Sequence, residues 1–341
     1  MRKKILYFSY YLKELDKEKF RLFLNKAKKQ TGKSATTIII DLIKSVFRYN
    51  ISILEYFQFH FYEISEAERQ TYAGTGYMYE YQLKMNPKAT RAVLEDKLIF
   101  LDNYNQFVHH QHASLLQLET VPSFAEKLLA NKSGKLVLKN AHGQCGNGIE
   151  VLTTAGLTQQ LIIDQLKKSG NDLVEEFVIQ HPDLMKLSPS GLNTVRIITQ
   201  LNEENKVDII GARLRITINS TVDNMAAGNI AAPINIDTGK LTGPGVYSDI
   251  TKEDERYHPV TKTEIVGFQI PFWKEAIDMV IAAALSNKNN RSVGWDVAVT
   301  EAGPELIEGN HNWCKLLWQL PVKKGLKPVL EVYLTKHRFA G

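Results

Sequence analysis

A chain of 341 residues with a 44% hydrophobic fraction can bury one large core or two medium ones, and it holds no apolar run of membrane-spanning length. Its basic start is broken by Lys13, Glu14, Asp16, Lys17 and Glu18 too early for a secretory signal, and two cysteines, Cys145 and Cys314, do not make a disulfide framework or a zinc site. The expectation is therefore a reduced, cytoplasmic protein. The formal charge of +5 is uneven, with eleven Lys/Arg against three Asp/Glu in residues 1–33. Such a segment is either a solvated helix face or a basic face that meets anionic lipid or an anionic glycan. Nucleic acid is not expected as a partner, because no basic and aromatic stripe follows on the strand runs.

Residues 1–88 read as a mainly helical N-terminal region. "KEKFRLFLNKAKKQ" repeats apolar residues at three and four, "SATTIIIDLIKSVFRYN" starts at a Ser34 cap, and "SEAE" is a second helix start with early acids. His60, among aromatics, reads as a packed histidine. The chain turns at Asn86-Pro87, becomes helical again, and after about residue 115 changes texture. Short β-rich runs follow: "KLVLKNA", "DLVEEFVI", "TVRIITQL", "KVDIIGARLRITI", "AAPINID", "WDVAV" and "ELIEGN", with helices at 157–168 and 271–286. This is an α+β pattern of mostly antiparallel sheets with helices on one side, spanning 89–330 before a C-terminal tail over 331–341. The triplet His109, His110 and His112 has no evident acidic partner in the sequence and reads as an exposed helix or loop.

Three stretches carry chemistry. In "KLVLKNAHGQCGNGIEVL" a strand ends at Lys139 and a loop bears Gly143, Gly146 and Gly148. Glycines let backbone N–H groups approach a ligand, and with a lysine beside them they suit phosphate; the plainer reading is a hairpin loop with an incidental Cys145. In "DLVEEFVIQHPDL" a strand leaves its sheet at His181-Pro182, which can offer backbone groups to an adenine edge and Asp183 to a ribose; the plainer reading is an edge strand. In "GWDVAVTEAGPELIEGNHNW" two strands joined by a turn bring Asp296 near Glu308 and Asn310, which share a face. Three hard oxygen donors suit Mg²⁺ or Mn²⁺; the plainer reading is a solvated hairpin rim. His311 follows a metal-ligand candidate and can touch acceptor or phosphate, and His258 in "YHPV" lies near the same expected site.

The order of these parts resembles the ATP-grasp superfamily over about residues 90–320. "YFQFHFYEISEAERQ", "GLNTVRIIT" and "IEGNHNW" look like its sugar-transfer-associated members, relatives of the glutamate ligases. The resemblance implies an ATP-grasp fold, two α+β subdomains gripping ATP, preceded here by a helical region where related ligases carry an α/β one. It implies that Lys97 and Lys139 approach the nucleotide phosphates and that Gly143, Gly146 and Gly148 close over them. Glu175, Glu176, Phe177 and Val178 would form the adenine hinge, with Asp183 near the ribose. Arg196, Arg213 and Arg215 would stabilise the transferred phosphoryl group, Asn224 would meet the substrate, and Asp296, Glu308 and Asn310 would bind the metal. The implied cofactors are ATP and Mg²⁺ (or Mn²⁺). The implied activity is carboxylate–amine ligation through an acylphosphate, on a small-molecule carboxylate and an amine or sugar-linked acceptor in cell-surface polysaccharide or glycoconjugate synthesis. A kinase of a hydroxyl acceptor and a nucleotide-binding module without turnover remain as alternatives. "GNHNW" departs from the amino-acid ligases, which leaves the acceptor open.

Overall fold

The computed structural model describes residues 2–143 and 148–336. Six helices come first: α1 (Arg2–Lys13), α2 (Lys17–Thr31), α3 (Ala35–Tyr49), α4 (Ile53–Gln58), α5 (Glu66–Gln70) and α6 (Thr75–Met85). Local chemistry sets their ends. Asp16 caps α2, and Gly32 closes it at φ +68°. Ser34 caps α3, as its sequence predicts, and Ser52 and Ser65 form reciprocal capping boxes with Glu55 and Glu68. Between α4 and α5 the helical expectation fails, because His60 turns the chain at φ +54°. His60 itself is half-exposed, bonded to Tyr62 and Glu63, while Phe57, Phe59, Phe61 and Tyr62 drop into the core around it. That core also takes Met225, Ala231, Val246 and Leu317 from the rest of the chain, so the helical region is packed onto the sheets and is not an appendage.

Next come α7 (Ala92–Glu95) and α8 (Lys97–Asn103), followed by β1 (His112–Ser114), α9 (Leu115–Thr120), α10 (Pro122–Leu129), β2 (Lys135–Lys139), β3 (Glu150–Thr153), α11 (Gln159–Ser169) and β4 (Leu173–Glu176). The strands form one antiparallel sheet in the order β1-β4-β2-β3. Leu136, Leu138 and Val174 on one of its faces pack under Leu118, Leu128, Ile162 and Leu166 of the helices. The expected strand "DLVEEFVI" stops at Glu176. The N–H of Phe177 still donates to Lys135 of this sheet, whereas that of His181 donates to Val299 of the next; the intervening residues are the crossing between sheets.

The second sheet follows α12 (Pro182–Leu187) and comprises β5 (Val195–Leu201), β6 (Val207–Ile216), β7 (Ile230–Pro233), β8 (Ser292–Thr300) and β9 (Gly303–Asn310), with α13 (Trp273–Ser286) before β8. Its order is β7-β6-β5-β8-β9, all antiparallel. Val195, Ile197, Leu214, Val297 and Trp295 share one core with Ala276, Val280 and Ala283 of α13. Over the other face lie α14 (Lys315–Gln319) and α15 (Lys327–Lys336), with Trp313 and Trp318 packed on Ile198, Met78 and Tyr81. Residues 331–336, expected as tail, continue α15; the remainder of that tail lies outside the described residues, as do Cys145 and Gly146. Among the described residues no helix is long and apolar enough to cross a membrane.

One buried carboxylate ties the helical region to this frame. Glu55 accepts from the N–H groups of Ser52 (2.7 Å) and Thr75 (2.9 Å), and pairs with Lys315 of α14 at 3.0 Å. Removing one partner of a buried pair strands the other charge, at a cost of roughly 3 kcal/mol or more. Glu55→Ala is therefore expected to lower the unfolding free energy measured by urea titration by that amount, whereas breaking an exposed pair such as Lys274–Asp278 is expected to leave it nearly unchanged.

Candidate active site

The pairing of β8 with β9 brings the predicted acids together. Asp296 stands opposite Glu308, and Gly294 opposite Asn310, with an irregularity just beyond Asp296 that leaves Ile307 unmatched. Bulges of this kind re-aim side chains near functional sites. Across β8's other edge Asp296 is opposite Arg196, and Arg196 is opposite Arg213 of β6. One face of the sheet thus carries a charged row across four strands. Arg196 grips Asp296 with Nε at 2.5 Å and Nη2 at 2.9 Å, and Arg215 adds Nη1 at 2.8 Å. Arg215 also pairs with Asp223 at 2.6 Å. Gly294 makes room for this arrangement, since a Cβ there would lie 2.6 Å from Trp313 Cβ and 3.1 Å from Arg196 Cδ.

The electrostatics follow from the packing. Burial alone would raise Asp296, but Arg196 and Arg215 hold its carboxyl well below the usual carboxylate range. Glu308 is pushed up, by burial and then by the charge of Asp296 beside it. Burial also raises Asp223, despite its pairing with Arg215. These positions fit a divalent cation. A carboxylate offers about four lone-pair sites, and three N–H groups occupy three of them on Asp296. The remaining position faces Glu308, so a cation there would lie between the two carboxylates. Asn310 gives its Nδ2 to Gly294 O at 3.3 Å and Glu308 at 3.2 Å, which leaves its amide oxygen as a third hard donor.

Opposite this row stands the lysine side. Lys97 is the first residue of α8, which Asp96 caps. Its ammonium takes the carbonyls of Asn140 (3.3 Å), Ala141 (3.4 Å) and Gly143, and burial lowers its proton affinity although Glu308 and Glu175 are near. Lys139, at the end of β2, pairs with buried Glu175 of β4. The same Glu175 oxygen lies 3.9 Å from His110 Nε2, and His110 Nδ1 is 2.7 Å from Glu305 of β9, whose carboxylate also accepts the N–H groups of His109 and His110 at 2.9 Å. His110 is therefore buried between the two sheets, not exposed as its sequence suggested, although His109 remains exposed. Its acidic partners lie 65 and 195 positions away in the chain, beyond any local pattern. Burial alone would lower the imidazole, but Glu175 and Glu305 outweigh it and push it up to about 9. Glu175 is correspondingly held well below its ordinary range, against the effect of burial, by Lys139 and His110.

A cavity of about 600 Å³ opens over the charged row. Lys97, Gly143, Arg196, Arg215, Glu308 and Asn310 line its inner end, and Asn224 and His311 also face it. Asn224 caps a short turn ending at Gly228, and His311 is 3.1 Å from Glu95. Other predicted residues stand apart from this cavity. Arg213 is in the row, but its guanidinium is held by the Trp318 carbonyl, and burial lowers its affinity for a proton to about 10. Asp183 sits on α12, paired with Lys186 at 3.1 Å. Glu176 accepts from the Gln111 N–H, Phe177 lies under the Lys135 ammonium, and Val178 is half-buried in the crossing between sheets. Gly148, at φ +73°, is fixed by Asn171 to its carbonyl. His258 is buried in a turn, bonded to Thr217 O at 2.8 Å, and does not line the cavity.

His110 gives the cleft a pH dependence. Its folded-state proton affinity exceeds the ordinary 6.5, so the stabilisation it provides is complete below that pH and is lost as pH rises through about 9. His110→Gln is expected to be destabilised by about 3 kcal/mol at pH 6, with the gap to the parent protein closing by pH 9.5. Urea titrations at both pH values check this; a gap independent of pH contradicts it.

A family model described as sugar-transfer associated ATP-grasp matches residues 77–333. Among solved structures, biotin carboxylase from Campylobacter jejuni aligns at 11% identity over 76% of this chain and 53% of that one, with a TM-score of 0.48. The biotin carboxylase domain of Hydrogenobacter thermophilus 2-oxoglutarate carboxylase aligns at 12% identity over 73% and 52%, TM-score 0.42. D-alanine–D-alanine ligase from Bacillus anthracis aligns at 12% over 72% and 69%, TM-score 0.40. The chain spans about half the length of both carboxylases, and no curated protein matches it. The family match covers most of the chain, including both sheets, the charged row and the lysine side: the chain belongs to the sugar-transfer associated ATP-grasp family and has the ATP-grasp fold, preceded by a helical N-terminal region.

Proposed function

We propose that the chain is an ATP- and Mg²⁺-dependent ligase that joins a carboxylate to an amine or similar nucleophile through an acylphosphate. The observation that carries this reading is the facing of two unlike charge sets across one cavity. Lys97 and Gly143 stand on one side, and Glu308 and Asn310, over the Arg196–Asp296–Arg215 row, stand on the other. Asp296, Glu308 and Asn310 would hold Mg²⁺, which supplies charge neutralisation for triphosphate oxygens when bound.

The chain's own residues do the positioning. Lys97 offers an ammonium to phosphate oxygens. Lys139, oriented by Glu175, offers a second ammonium on the nucleotide side. Arg196 and Arg215 are fixed by Asp296, so their remaining N–H groups are pre-aimed and little reorganisation accompanies charge transfer. The γ-phosphoryl group moves to a carboxylate oxygen and ADP leaves. The amine nitrogen then attacks the acyl carbon, losing a proton, and phosphate departs. Catalysis here is mostly placement and electrostatics. The crossing at Glu176 to Val178 serves as the adenine hinge and Asp183 approaches the ribose in this reading. The amino-acid or sugar-linked substrates belong to cell-surface polysaccharide synthesis, a role that the family description supports by its wording alone. The protein acts in the cytoplasm, and its basic N-terminal segment associates peripherally with the membrane-bound glycan machinery.

The test is ADP release with Mg²⁺ and ATP over paired amino acids, uronic acids and nucleotide sugars. Release that needs both a carboxylate and an amine, and that falls at least about 100-fold in Glu308→Ala, is the expected result. Phosphate retained on a hydroxyl would make the protein a kinase instead, and ATP binding without turnover on any pair would make it a binding module.

A further inference from the structure

The cavity over the charged row does not run toward the crossing between the sheets. Neither Lys139 nor Phe177 lines it. It extends the opposite way, from Lys97 and Glu308 outward to the helical N-terminal region. Lys19 and Phe23 of α2, Leu54 and Gln58 of α4, and Tyr247 and Lys252 of the segment after β7 wall this outer end. A nucleotide held as proposed above would fill the inner end alone, so the outer lobe needs a different occupant.

The lobe is built and sealed. Gln58 Nε2 donates to Ser248 O at 3.0 Å, and Ser248 Oγ to Met225 O at 3.3 Å. Lys26 of α2 pairs with Glu253 at 3.7 Å, and Glu55 with Lys315 at 3.0 Å. Three of these contacts bind the helical region to two other parts of the chain, the segment after β7 and α14. The lining has two kinds of chemistry. Phe23, Leu54, Met225, Leu316 and Leu317 form an apolar wall. At the rim stand two lysines. Lys252 has no carboxylate partner among the described residues, its ammonium lying 4.5 Å from the Tyr247 ring centroid. Lys19 is half-exposed and has only a loose contact with Asp16 at 3.8 Å. The nearby acid, Asp249, is already taken by the Thr251 N–H and hydroxyl at 2.9 and 2.7 Å. Asp249 keeps its negative charge under these neutral donors, so two lysines against one carboxylate leave the mouth with a net positive charge, next to apolar surface that water wets poorly.

We propose that this outer lobe is the acceptor pocket, and that it takes an anionic substrate with an apolar body, its carboxylate or phosphate oxygens held by Lys19 and Lys252 and its apolar part against Phe23, Leu54 and Leu317. The assignment rests on the ligase reading only for the direction of the reacting end, which points inward to Glu308. It gives the helical region a function: α2 and α4 supply substrate contacts that the two-sheet frame lacks.

Calorimetric titration with four probes separates the chemistries: hexyl phosphate, hexanoate, glucuronate (an anion without an apolar body) and hexyl glucoside (an apolar body without an anion). Each is run with and without Mg²⁺ and a non-hydrolysable ATP analogue. At least one hexyl anion is expected to bind at least tenfold more tightly than glucuronate or hexyl glucoside, and the tighter of the two decides between phosphate and carboxylate. Lys19→Glu combined with Lys252→Glu is expected to weaken that binding at least tenfold, with Lys252→Gln intermediate; affinity for the ATP analogue serves as the folding control. Hexyl-anion binding unchanged in the double variant, or no hexyl-anion binding to protein that does bind the ATP analogue, overturns the assignment. If lysine-dependent hexyl-anion binding occurs but the ATP analogue does not bind, the ligase reading falls and the pocket stands.

Discussion

Asp296 lies at the centre of the larger sheet with two arginines closed on it, and the cleft is arranged around that contact. A lone carboxylate could not be buried there, because the desolvation of an unpaired charge exceeds what packing returns. Arg196 approaches from the neighbouring strand and Arg215 from the strand beyond. Their charges make it possible for Asp296 to be ionised at depth. Asp223 neutralises the far side of Arg215, and Thr194 completes Asp223 with N–H and hydroxyl donors at 2.9 and 2.5 Å. What the row cannot neutralise is Glu308, the acid left over at its open end. Among the described residues Glu308 has a hydrogen bond from Asn310 but no ion-pair partner, which is the arrangement the proposed metal would complete.

The second constraint is the joint between the sheets. Glu175 belongs to the small sheet and Glu305 to the large one, and His110 lies between them. Lys139 depends on the same Glu175. The position of Lys139 is therefore coupled, through one carboxylate, to the contact that sets how the two sheets meet. Leu173 of the small sheet joins Trp295 and Phe100 in the large core, so apolar packing and the ionic bridge act at the same seam.

Much of this frame was legible in the sequence. Alternation in "DVAV" and "ELIEGN" around a turn gives a hairpin that brings residue 296 near 308, but regular register would pair 296 with 307; the irregularity beyond Asp296 that shifts the partner to Glu308 has no signal in the alternation. Caps at Ser34 and Ser65, the stop at Lys139 and the helix over 271–286 also follow from local rules. The misses have physical causes. α9 and α10 were hidden among β-rich runs, although the Ser114–Gln117 capping box and Pro122 at a helix start carried a signal. The break at His60 was not readable, because tertiary burial of four neighbouring aromatics outweighed helix propensity there. His110 was read as exposed because its partners come from two distant strands. Arg213 and Arg215 have the same spacing and residue type, yet one meets a carbonyl of α14 and the other the acid row; only the packing of the final helices separates them.

The central claim is that the charged row and the lysine side form a single site for a metal-bound nucleotide. A crystal structure with Mg²⁺ and a non-hydrolysable ATP analogue tests it most directly. The account predicts a cation bound by Asp296, Glu308 and Asn310, with the triphosphate reaching from there to Lys97 and Lys139. A nucleotide bound elsewhere, or a cation coordinated without Glu308, would contradict it.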